Sequence, residues 1–270
     1  MKKVLSNIVT SNTIKRIRSE EKKALINTMQ ISQKLKIPYP MKQIYHFVIP
    51  PNLFQTWHTK SLPPLMANSV AKLRQINPRF NYFLFDDNDC REFIKDNFSL
   101  DVLNAFDTLK PGAYKADLWR YCILYKKGGV YLDIKYQPVS GFKLVNLLEK
   151  EHWVLDADGN GIYNAVMVCK AGNNILMNAI NQIVDHVKNR YYGGGVLDVT
   201  GPGLLSRYFS SSDKKAFDMK HFFYNSLNNR FVELNGYIVL KSYNGYIEEA
   251  KKTQKTQYYG VLWNNRNIYN

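Results

Sequence analysis

The sequence predicts an α/β domain with a mainly parallel central sheet. Strand-like and helix-like segments alternate over residues 44–134, which is the pattern of helices packed on a parallel sheet. One stretch, from Pro111 to Pro138, combines an amphipathic helix, a Gly-Gly break and a short strand that ends on a carboxylate. Ligands bind at the carboxyl ends of strands in open sheets of this kind. We therefore expect a binding site where that strand ends.

Composition and chain length predict one domain with a helical extension. The chain has 270 residues and 45% hydrophobic content, enough for a sizeable core. Residues 1–40 are rich in Lys and Arg, carry apolar residues at helical spacing, and are predicted as a basic helical extension to a domain over residues 41–270. We find neither an apolar run of about 18 residues nor an apolar stretch typical of a signal peptide. These features predict a cytoplasmic protein, either free or peripheral to a membrane.

The net charge of +15 calls for an anionic partner or a compositional explanation. Nucleic acid, an anionic membrane and phosphorylated ligands would each serve, and a Lys-rich composition alone explains the bulk charge equally well. The sequence has no zinc-ligand spacing and no nucleic-acid-binding motif, which disfavours nucleic acid. A basic amphipathic helix within residues 1–36 could lie on an anionic membrane, or it could pack on its own domain.

The elements before the central stretch follow from apolar runs and turn residues. The first buried strand is predicted at residues 44–49, and Pro50-Pro51 ends it. A helix over residues 65–75 and a strand over residues 80–85 come next. The acidic turn of residues 86–89 could pass for a metal site, but its position directly before a helix favours N-capping.

The central stretch carries three charges of interest. Asp117 and Arg120 lie three positions apart on the predicted helix, so they share a face. Gly128-Gly129 ends the helix, and Asp133 follows the short strand. Spacing alone leaves two interpretations open: a solvated ion pair beside an ordinary turn residue, or a site for a charged ligand.

The segments after the central stretch contain two motifs of limited meaning. Residues 156–161 match the start of a calcium-binding EF-hand loop, but the twelfth position is Met167 rather than glutamate. A hairpin turn explains the same residues. Thr200-Gly201-Pro202 opens a predicted helix, where backbone amides can bind phosphate, yet the sequence lacks the Lys of a P-loop.

Two motifs of the central stretch resemble those of a known family. Tyr114–Tyr121 and Gly128–Lys135 are similar to the paired patterns A-x-D-x-x-R-Y and G-G-[IV]-Y-x-D-x-D of glycosyltransferases with a DXD sugar-binding region. That family includes the yeast initiating α-1,6-mannosyltransferase and is related to the glucosyltransferase core of clostridial toxins. Further similarities occur, in order, at residues 50–57, 77–87 and 200–202. The resemblance implies a single GT-A-type nucleotide-sugar-binding domain.

The resemblance also implies roles for individual residues. It assigns Asp117, Arg120 and Asp133 to catalysis and Asp133 to a metal. It gives weaker acceptor roles to two residues in the region after the core, Asp158 and Asn164. The remaining candidates are donor-binding residues: Gln55, Thr56, Trp57, Lys135, Thr200, Gly201 and Trp263.

The function implied is the retaining transfer of a hexose or N-acetylhexosamine from a UDP- or GDP-sugar to a glycan or glycoconjugate. The family pattern also implies Mn²⁺ or Mg²⁺, but the second DXD carboxylate is replaced by Lys135. Either Asp133 holds the metal with water and a C-terminal residue, or Lys135 itself neutralises the diphosphate. Two other functions stay open: a catalytically weakened relative that binds a nucleotide sugar or glycan, and a basic membrane- or nucleic-acid-binding protein.

Overall fold

A computed structural model describes residues 16, 22, 25–224 and 229–270 of the chain. Most of the predicted basic extension, residues 1–15, 17–21 and 23–24, lies outside the described residues. Within that extension, residues 25–34 are helical and are called α1. Among the described residues, none of the helices combines the length and the apolar character needed to cross a membrane.

After α1, strands and helices are interspersed up to the middle of the chain, with three consecutive helices between the second and third strands. The strands are β1 (Asn52–Thr56), β2 (Asn81–Phe85), β3 (Gly129–Leu132), β4 (Tyr136–Pro138), β5 (Val154–Leu155), β6 (Val166–Cys169), β7 (Met219–Tyr224), β8 (Asn229–Leu234) and β9 (Tyr237–Ser242). The longer helices are α2 (Pro64–Ile76), α3 (Asp87–Asn97), α4 (Leu100–Thr108), α5 (Gly112–Lys127) and α6 (Asn174–Lys188). The shorter ones are α7 (Pro202–Ser206), α8 (Ser211–Ala216), α9 (Tyr246–Thr253) and α10 (Tyr259–Asn264).

The first sheet has the strand order β2-β1-β3-β6. Strands β2, β1 and β3 run parallel, and β6 is antiparallel to β3. The α/β class with a mainly parallel central sheet is therefore confirmed. All four residues of β3 are buried, so this strand lies in the interior with its carboxyl end at Asp133.

Two glycines allow α5 to run directly into β3. Gly128 and Gly129 have φ values of +60° and +128°, a region that L side chains rarely adopt. A Cβ added to Gly129 would lie 2.6 Å from the carbonyl oxygen of Asn52. Glycine at this position lets β3 approach β1 closely, and the short connection fixes α5 relative to the end of β3.

The second sheet has the order β4-β9-β8-β7-β5 and is mostly antiparallel. Its first strand, β4, begins one residue after Lys135. The turn from Asp133 to Lys135 therefore joins the two sheets. Backbone hydrogen bonds hold this turn, since Tyr136 N–H donates to Asp133 C=O at 3.0 Å and Tyr243 N–H donates to Lys135 C=O at 2.9 Å.

Helix α5 lies in the main hydrophobic core, against α3 and α6. From Leu118 to Leu124 every residue is buried, so the helix has no broad solvent-facing side in its second half. A helix that is buried all round belongs to the interior of a domain. As a consequence, the charges of Asp117 and Arg120 are placed inside the protein.

The predicted first strand at residues 44–49 is wrong. These residues form no strand, and Ile44 and Phe47 are 72% and 44% exposed. The strand is instead β1, where Leu53 and Phe54 are buried and the backbone pairs with both β2 and β3. Two short apolar runs flank Pro50-Pro51, and periodicity cannot decide which of them is central.

The acidic turn before α3 has the predicted capping role. The Asp86 carboxylate accepts a hydrogen bond from Asp89 N–H at 2.9 Å, and the Asp89 carboxylate accepts one from Asp86 N–H at 3.1 Å. This reciprocal arrangement is a capping box, which satisfies two free amides at the start of the helix.

Candidate active site

Asp117 and Arg120 form a buried ion pair on α5. Their residues are 8% and 5% exposed, and Arg120 Nη2 lies 3.3 Å from Asp117 Oδ1. The interpretation of these residues as a solvated surface pair is therefore wrong. Burying two charges carries a large desolvation cost, which demands further partners for both groups.

Two side chains from other parts of the chain, together with Tyr121 of α5, hold the Asp117 carboxylate and its surroundings. Thr200 Oγ1 donates to Asp117 Oδ2 at 2.7 Å, and Asn164 Nδ2 donates to Asp117 Oδ1 at 2.9 Å. Tyr121 ties these donors together, because its hydroxyl accepts from Asn164 Nδ2 and donates to the Thr200 carbonyl, both at 2.8 Å. Burial raises the pKa of Asp117, although Arg120 and the two donors act in the opposite direction.

Asp133 lies at the end of β3 with its carboxylate inside a ring of donors. Tyr131 Oη donates to Asp133 Oδ1 at 2.8 Å, and Arg120 Nη1 lies 3.5 Å from the same oxygen. Lys135 Nζ pairs with Oδ2. Burial acts to raise the pKa of Asp133, but Lys135 and Arg120 outweigh it and hold that pKa below its ordinary value. The carboxylate is therefore ionised at neutral pH.

Arg120 connects the two carboxylates. Its guanidinium contacts Asp117 on one side and Asp133 on the other, and Nη1 also donates to the Asn164 carbonyl at 2.8 Å. The group stacks over the Tyr131 ring at 4.3 Å from the ring centroid. A planar fork of five donors suits such a shared position, which a lysine could not fill.

Lys135 is also buried, with a side chain that is 10% exposed. Its Nζ lies 5.2 Å from the centroid of the Tyr136 ring and 5.6 Å from that of Tyr163. Burial acts to lower the pKa of Lys135, but Asp133 outweighs it and the pKa lies above its ordinary value. The site thus contains a protonated ammonium group at the position of the second DXD carboxylate.

The residues at the end of β1 support the Asp133 turn. Gln55 is fully buried, and its Nε2 donates to the Leu132 carbonyl at 3.1 Å while Tyr82 Oη donates to its Oε1 at 3.0 Å. Thr56 Oγ1 donates to the Phe85 carbonyl at 2.9 Å. These two side chains are engaged within the protein, so they position the end of the sheet.

Trp57 differs from its two neighbours. It packs in a small cluster with Ile134, the central residue of the Asp133 turn. Its indole Nε1 is buried and has no hydrogen-bond partner within the described part of the chain. A buried N–H without a partner is costly, and a ligand hydrogen bond at this position would remove that cost.

The other predicted site residues divide into two groups. Gly201 lies against the buried cluster, since an added Cβ would be 3.3 Å from Asp117 Oδ2. Asp158 and Trp263 bond elsewhere. The exposed Asp158 carboxylate closes its own turn by accepting from Asn160 and Gly161 N–H groups, and Trp263 Nε1 donates to the Tyr192 carbonyl at 2.7 Å. Of the predicted acceptor pair, only Asn164 belongs to the cluster around Asp117.

A second group of side chains near Lys135, made of Tyr163, His221 and Asp156, was not predicted from the sequence. The His221 ring stacks on Tyr163 at a centroid distance of 3.7 Å, and its Nδ1 lies 2.8 Å from Asp156 Oδ1. Burial lowers the pKa of His221 against the effect of Asp156. No sequence signal joins these residues, because His221 and Asp156 are 65 positions apart. The contact of Tyr131 with Asp133 could have been predicted, because the two residues are two positions apart and such residues share a face of an extended chain.

The donor atoms present do not fit a divalent cation. Mn²⁺ and Mg²⁺ prefer several oxygen ligands, and the described residues contain no group of three or more His, Cys, Asp or Glu side chains placed to hold a metal. The oxygens of Asp117 and Asp133 already accept hydrogen bonds or ion pairs from protein donors. Lys135 stands where the family pattern has a second carboxylate.

Comparison with known proteins finds one family model that matches the region of this site. Residues 63–153 match the family described as "Glycosyltransferase sugar-binding region containing DXD motif". The matched region contains Asp117, Arg120, Asp133 and Lys135.

Curated relatives with named activities are fungal. The chain is 30% identical over 164 residues to inositol phosphoceramide mannosyltransferase 3 of Schizosaccharomyces pombe, covering 60% of this chain and 45% of the relative. It is 33% identical over 160 residues to mannosyl phosphorylinositol ceramide synthase SUR1 of Saccharomyces cerevisiae, covering 59% and 41%. It is 25% identical over 229 residues to the initiation-specific alpha-1,6-mannosyltransferase of Candida albicans, covering 69% and 58%. The matches span about half the length of these relatives.

Solved structures with weak similarity include the PaToxG glycosyltransferase. That comparison has a TM-score of 0.46 at 15% identity and covers 69% of this chain and 76% of the toxin chain. The sequence match over residues 63–153 and the relatives named above agree with each other. Residues 63–153, which carry the charged cluster, are similar to the glycosyltransferases whose sugar-binding region contains a DXD motif.

Proposed function

We propose that the chain transfers a hexose or N-acetylhexosamine from a nucleotide-diphosphate sugar to a glycan or glycoconjugate. The observation that carries this proposal is the buried cluster of Asp117, Arg120, Asp133 and Lys135 at the carboxyl end of β3. Four charges in the interior add little to stability, since apolar residues would pack there at lower cost. Clusters of this kind are typical of sites that bind or react with a charged ligand.

The cluster suits the charges that develop during glycosyl transfer. The bond between C1 of the sugar and the diphosphate oxygen breaks, so negative charge grows on the nucleoside diphosphate and positive charge on the sugar ring. In the proposed site, Arg120 and Lys135 stabilise the leaving diphosphate. Asp133 and Asp117 face the sugar, where carboxylates bind hydroxyl groups and stabilise positive charge.

We further propose that the anomeric configuration is retained. Each carboxylate of the cluster already accepts at least two contacts from protein donors, so neither is a free base for an acceptor hydroxyl. The leaving diphosphate can take that proton instead, while the acceptor oxygen bonds to C1 from the same face. This sequence of events forms one glycosidic bond and releases a nucleoside diphosphate.

The names of the relatives suggest which substrates to try first. They specify mannosyl transfer, and two of them specify an inositol-containing ceramide as the acceptor. We therefore propose mannose as the first donor sugar to test, and a lipid-linked inositol phosphate as the first acceptor.

A second candidate function is binding of a nucleotide sugar without transfer. Lys135 at the second DXD position is the observation that favours it, because a lysine cannot coordinate a metal. The buried arrangement of Asp117, Arg120 and Asp133 favours sugar transfer over binding alone. Binding without transfer does not need a guanidinium group that is shared by two carboxylates.

Donor binding tests the proposed function. In a thermal-shift screen of UDP- and GDP-sugars, we expect at least one to raise the melting temperature of the whole chain. A ligand at about a hundred times its Kd stabilises the folded state by about 2.7 kcal/mol. Free mannose, which lacks the diphosphate, serves as the control and should give no shift at the same concentration. Absence of stabilisation by every nucleotide sugar would count against both candidate functions.

We also propose that the segment before β1 contacts an anionic membrane. Apolar side chains are exposed there along residues 25–48, among them Leu25, Met29 and Ile44 at 62%, 57% and 72% exposure. Lys22 and Lys36, both exposed, add positive charge to the same segment. Exposed apolar groups beside basic ones suit the interface of a membrane with acidic lipids.

Vesicle co-sedimentation tests this contact. We expect the whole chain to bind vesicles that contain phosphatidylserine, to bind neutral phosphatidylcholine vesicles more weakly, and to lose binding as salt increases. The double variant Leu25→Glu, Met29→Glu should bind several-fold less, because it places two charges where apolar groups would enter the interface. Equal binding of this variant and the unaltered chain would refute the proposal.

A further inference from the structure

We propose that Lys135 supplies, as a fixed ammonium group, the positive charge that a divalent cation would give to the donor diphosphate, so that donor binding requires no metal. This inference rests on the proposed function, because it concerns how the same site holds a nucleotide sugar. It starts from the disagreement between the DXD pattern and the donor atoms that surround Asp133.

The first step is the position of the ammonium group. Lys135 Nζ pairs with Asp133 Oδ2 in the turn that joins the two sheets. Backbone hydrogen bonds on both sides of the turn hold it, from Tyr136 N–H to Asp133 C=O and from Tyr243 N–H to Lys135 C=O. The side chain therefore has a defined place beside the carboxylate and is not a mobile surface lysine.

The second step concerns the donors that Lys135 has left. An ammonium group carries three N–H donors, and the pair with Asp133 uses one. Its other near neighbours are the faces of the Tyr136 and Tyr163 rings, with centroids at 5.2 and 5.6 Å. Ring faces attract a cation but replace oxygen acceptors poorly. Within the described part of the chain, the strong acceptor that contacts this buried group is the Asp133 carboxylate, and phosphate oxygens would supply further ones.

The third step is a comparison of charges. In a DXD motif, the two negative carboxylates and one divalent cation have a net charge of zero. The Asp133–Lys135 pair also has a net charge of zero. The pair thus offers a diphosphate the same net charge as a metal-loaded DXD motif. A cation added at Asp133 would instead meet the ammonium at short range and would have to displace it from its only carboxylate partner among the described contacts. Such like-charge contact is strongly unfavourable in a buried site.

The experiment compares donor binding with and without metal. Titration calorimetry of the whole chain with GDP-mannose and with UDP-glucose is carried out in EDTA and again in Mn²⁺. For the donor that binds, we expect Kd values that agree within about twofold between the two buffers. The variant Lys135→Asp recreates D-x-D and should bind that donor at least about tenfold more weakly in EDTA than in Mn²⁺.

Two further variants complete the test. Lys72→Asp makes the same change of charge on the exposed side of α2 and should behave like the unaltered chain in both buffers. Lys135→Met keeps the length of the side chain and removes its charge, so it should weaken binding at least about tenfold in EDTA even if Lys135→Asp fails to fold.

The outcomes separate this inference from the proposed function. Donor binding by the unaltered chain that appears only with Mn²⁺ overturns the role of Lys135 and leaves the proposed function standing. Unchanged affinity of Lys135→Met in EDTA also overturns it. Failure of both nucleotide sugars to bind in either buffer, together with a negative thermal-shift screen, overturns the proposed function and this inference with it.

Discussion

Asp133→Asn is expected to lower transfer from a nucleotide sugar by at least about a hundredfold, the loss typical of removing one electrostatic contact to a developing charge. The carboxylate pairs with Lys135 and Arg120, and these two groups keep the pKa of Asp133 below its ordinary value. An uncharged amide would leave both cations without this partner and would remove the negative charge near the sugar. Release of nucleoside diphosphate with a mannosylated acceptor measures the effect.

Asp96→Asn is the matched control for this variant. Asp96 is exposed on α3, away from the cluster, and the same chemical change there should leave transfer within about twofold of the unaltered chain. Full activity of Asp133→Asn would remove this residue from the site. Loss of activity in both variants would indicate a general effect of the substitution and would fail to single out Asp133.

The largest effect on stability is expected for Arg120→Met. This guanidinium is shared by two acidic groups, at 3.3 Å from Asp117 Oδ1 and 3.5 Å from Asp133 Oδ1. Its removal leaves the buried Asp117 carboxylate without a counterion and leaves Asp133 with Lys135 alone. The loss of one partner of a buried ion pair costs about 3–5 kcal/mol. The free energy of unfolding, measured in urea at neutral pH, should fall by that amount.

Arg91→Met provides the comparison for a pair at the surface. Arg91 and Asp107 are each 39% exposed, and solvent screens pairs of this kind, so Arg91→Met should lower the free energy of unfolding far less than Arg120→Met does. In addition, the double variant Arg120→Met, Asp117→Asn should be less destabilised than the sum of its single variants, because the two residues share one interaction. If Arg120→Met were as stable as Arg91→Met, the buried cluster would not be organised around this guanidinium.

The parts of the site that sequence could predict are those set by local geometry. Asp117 and Arg120 share a helix face because they are three residues apart, and Asp133 lies at a sheet edge because it follows a short apolar strand. The pairing of Asp133 with Lys135 was not predicted, and the structure places both residues in the turn after β3.

The parts that sequence could not predict depend on long-range packing. Thr200 and Asn164 were predicted as ligand contacts, yet their side chains hold the Asp117 carboxylate in place. These hydrogen bonds link Asp117 of α5 to residues that are 83 and 47 positions away. A local sequence pattern cannot predict which distant residue a side chain will contact. The first strand was misplaced for a related reason, since only pairing with β2 and β3 distinguishes residues 52–56 from the apolar run before them.

The central claim is that the nucleotide sugar binds at the cluster of Asp117, Arg120, Asp133 and Lys135. A crystal structure of the chain with the donor identified in the thermal-shift screen tests it most directly. We expect a diphosphate oxygen within about 3 Å of Lys135 Nζ and a hydroxyl group of the sugar or ribose within about 3 Å of the Asp133 carboxylate. A donor bound elsewhere on the molecule, with the four charges still paired only to one another, would contradict the account.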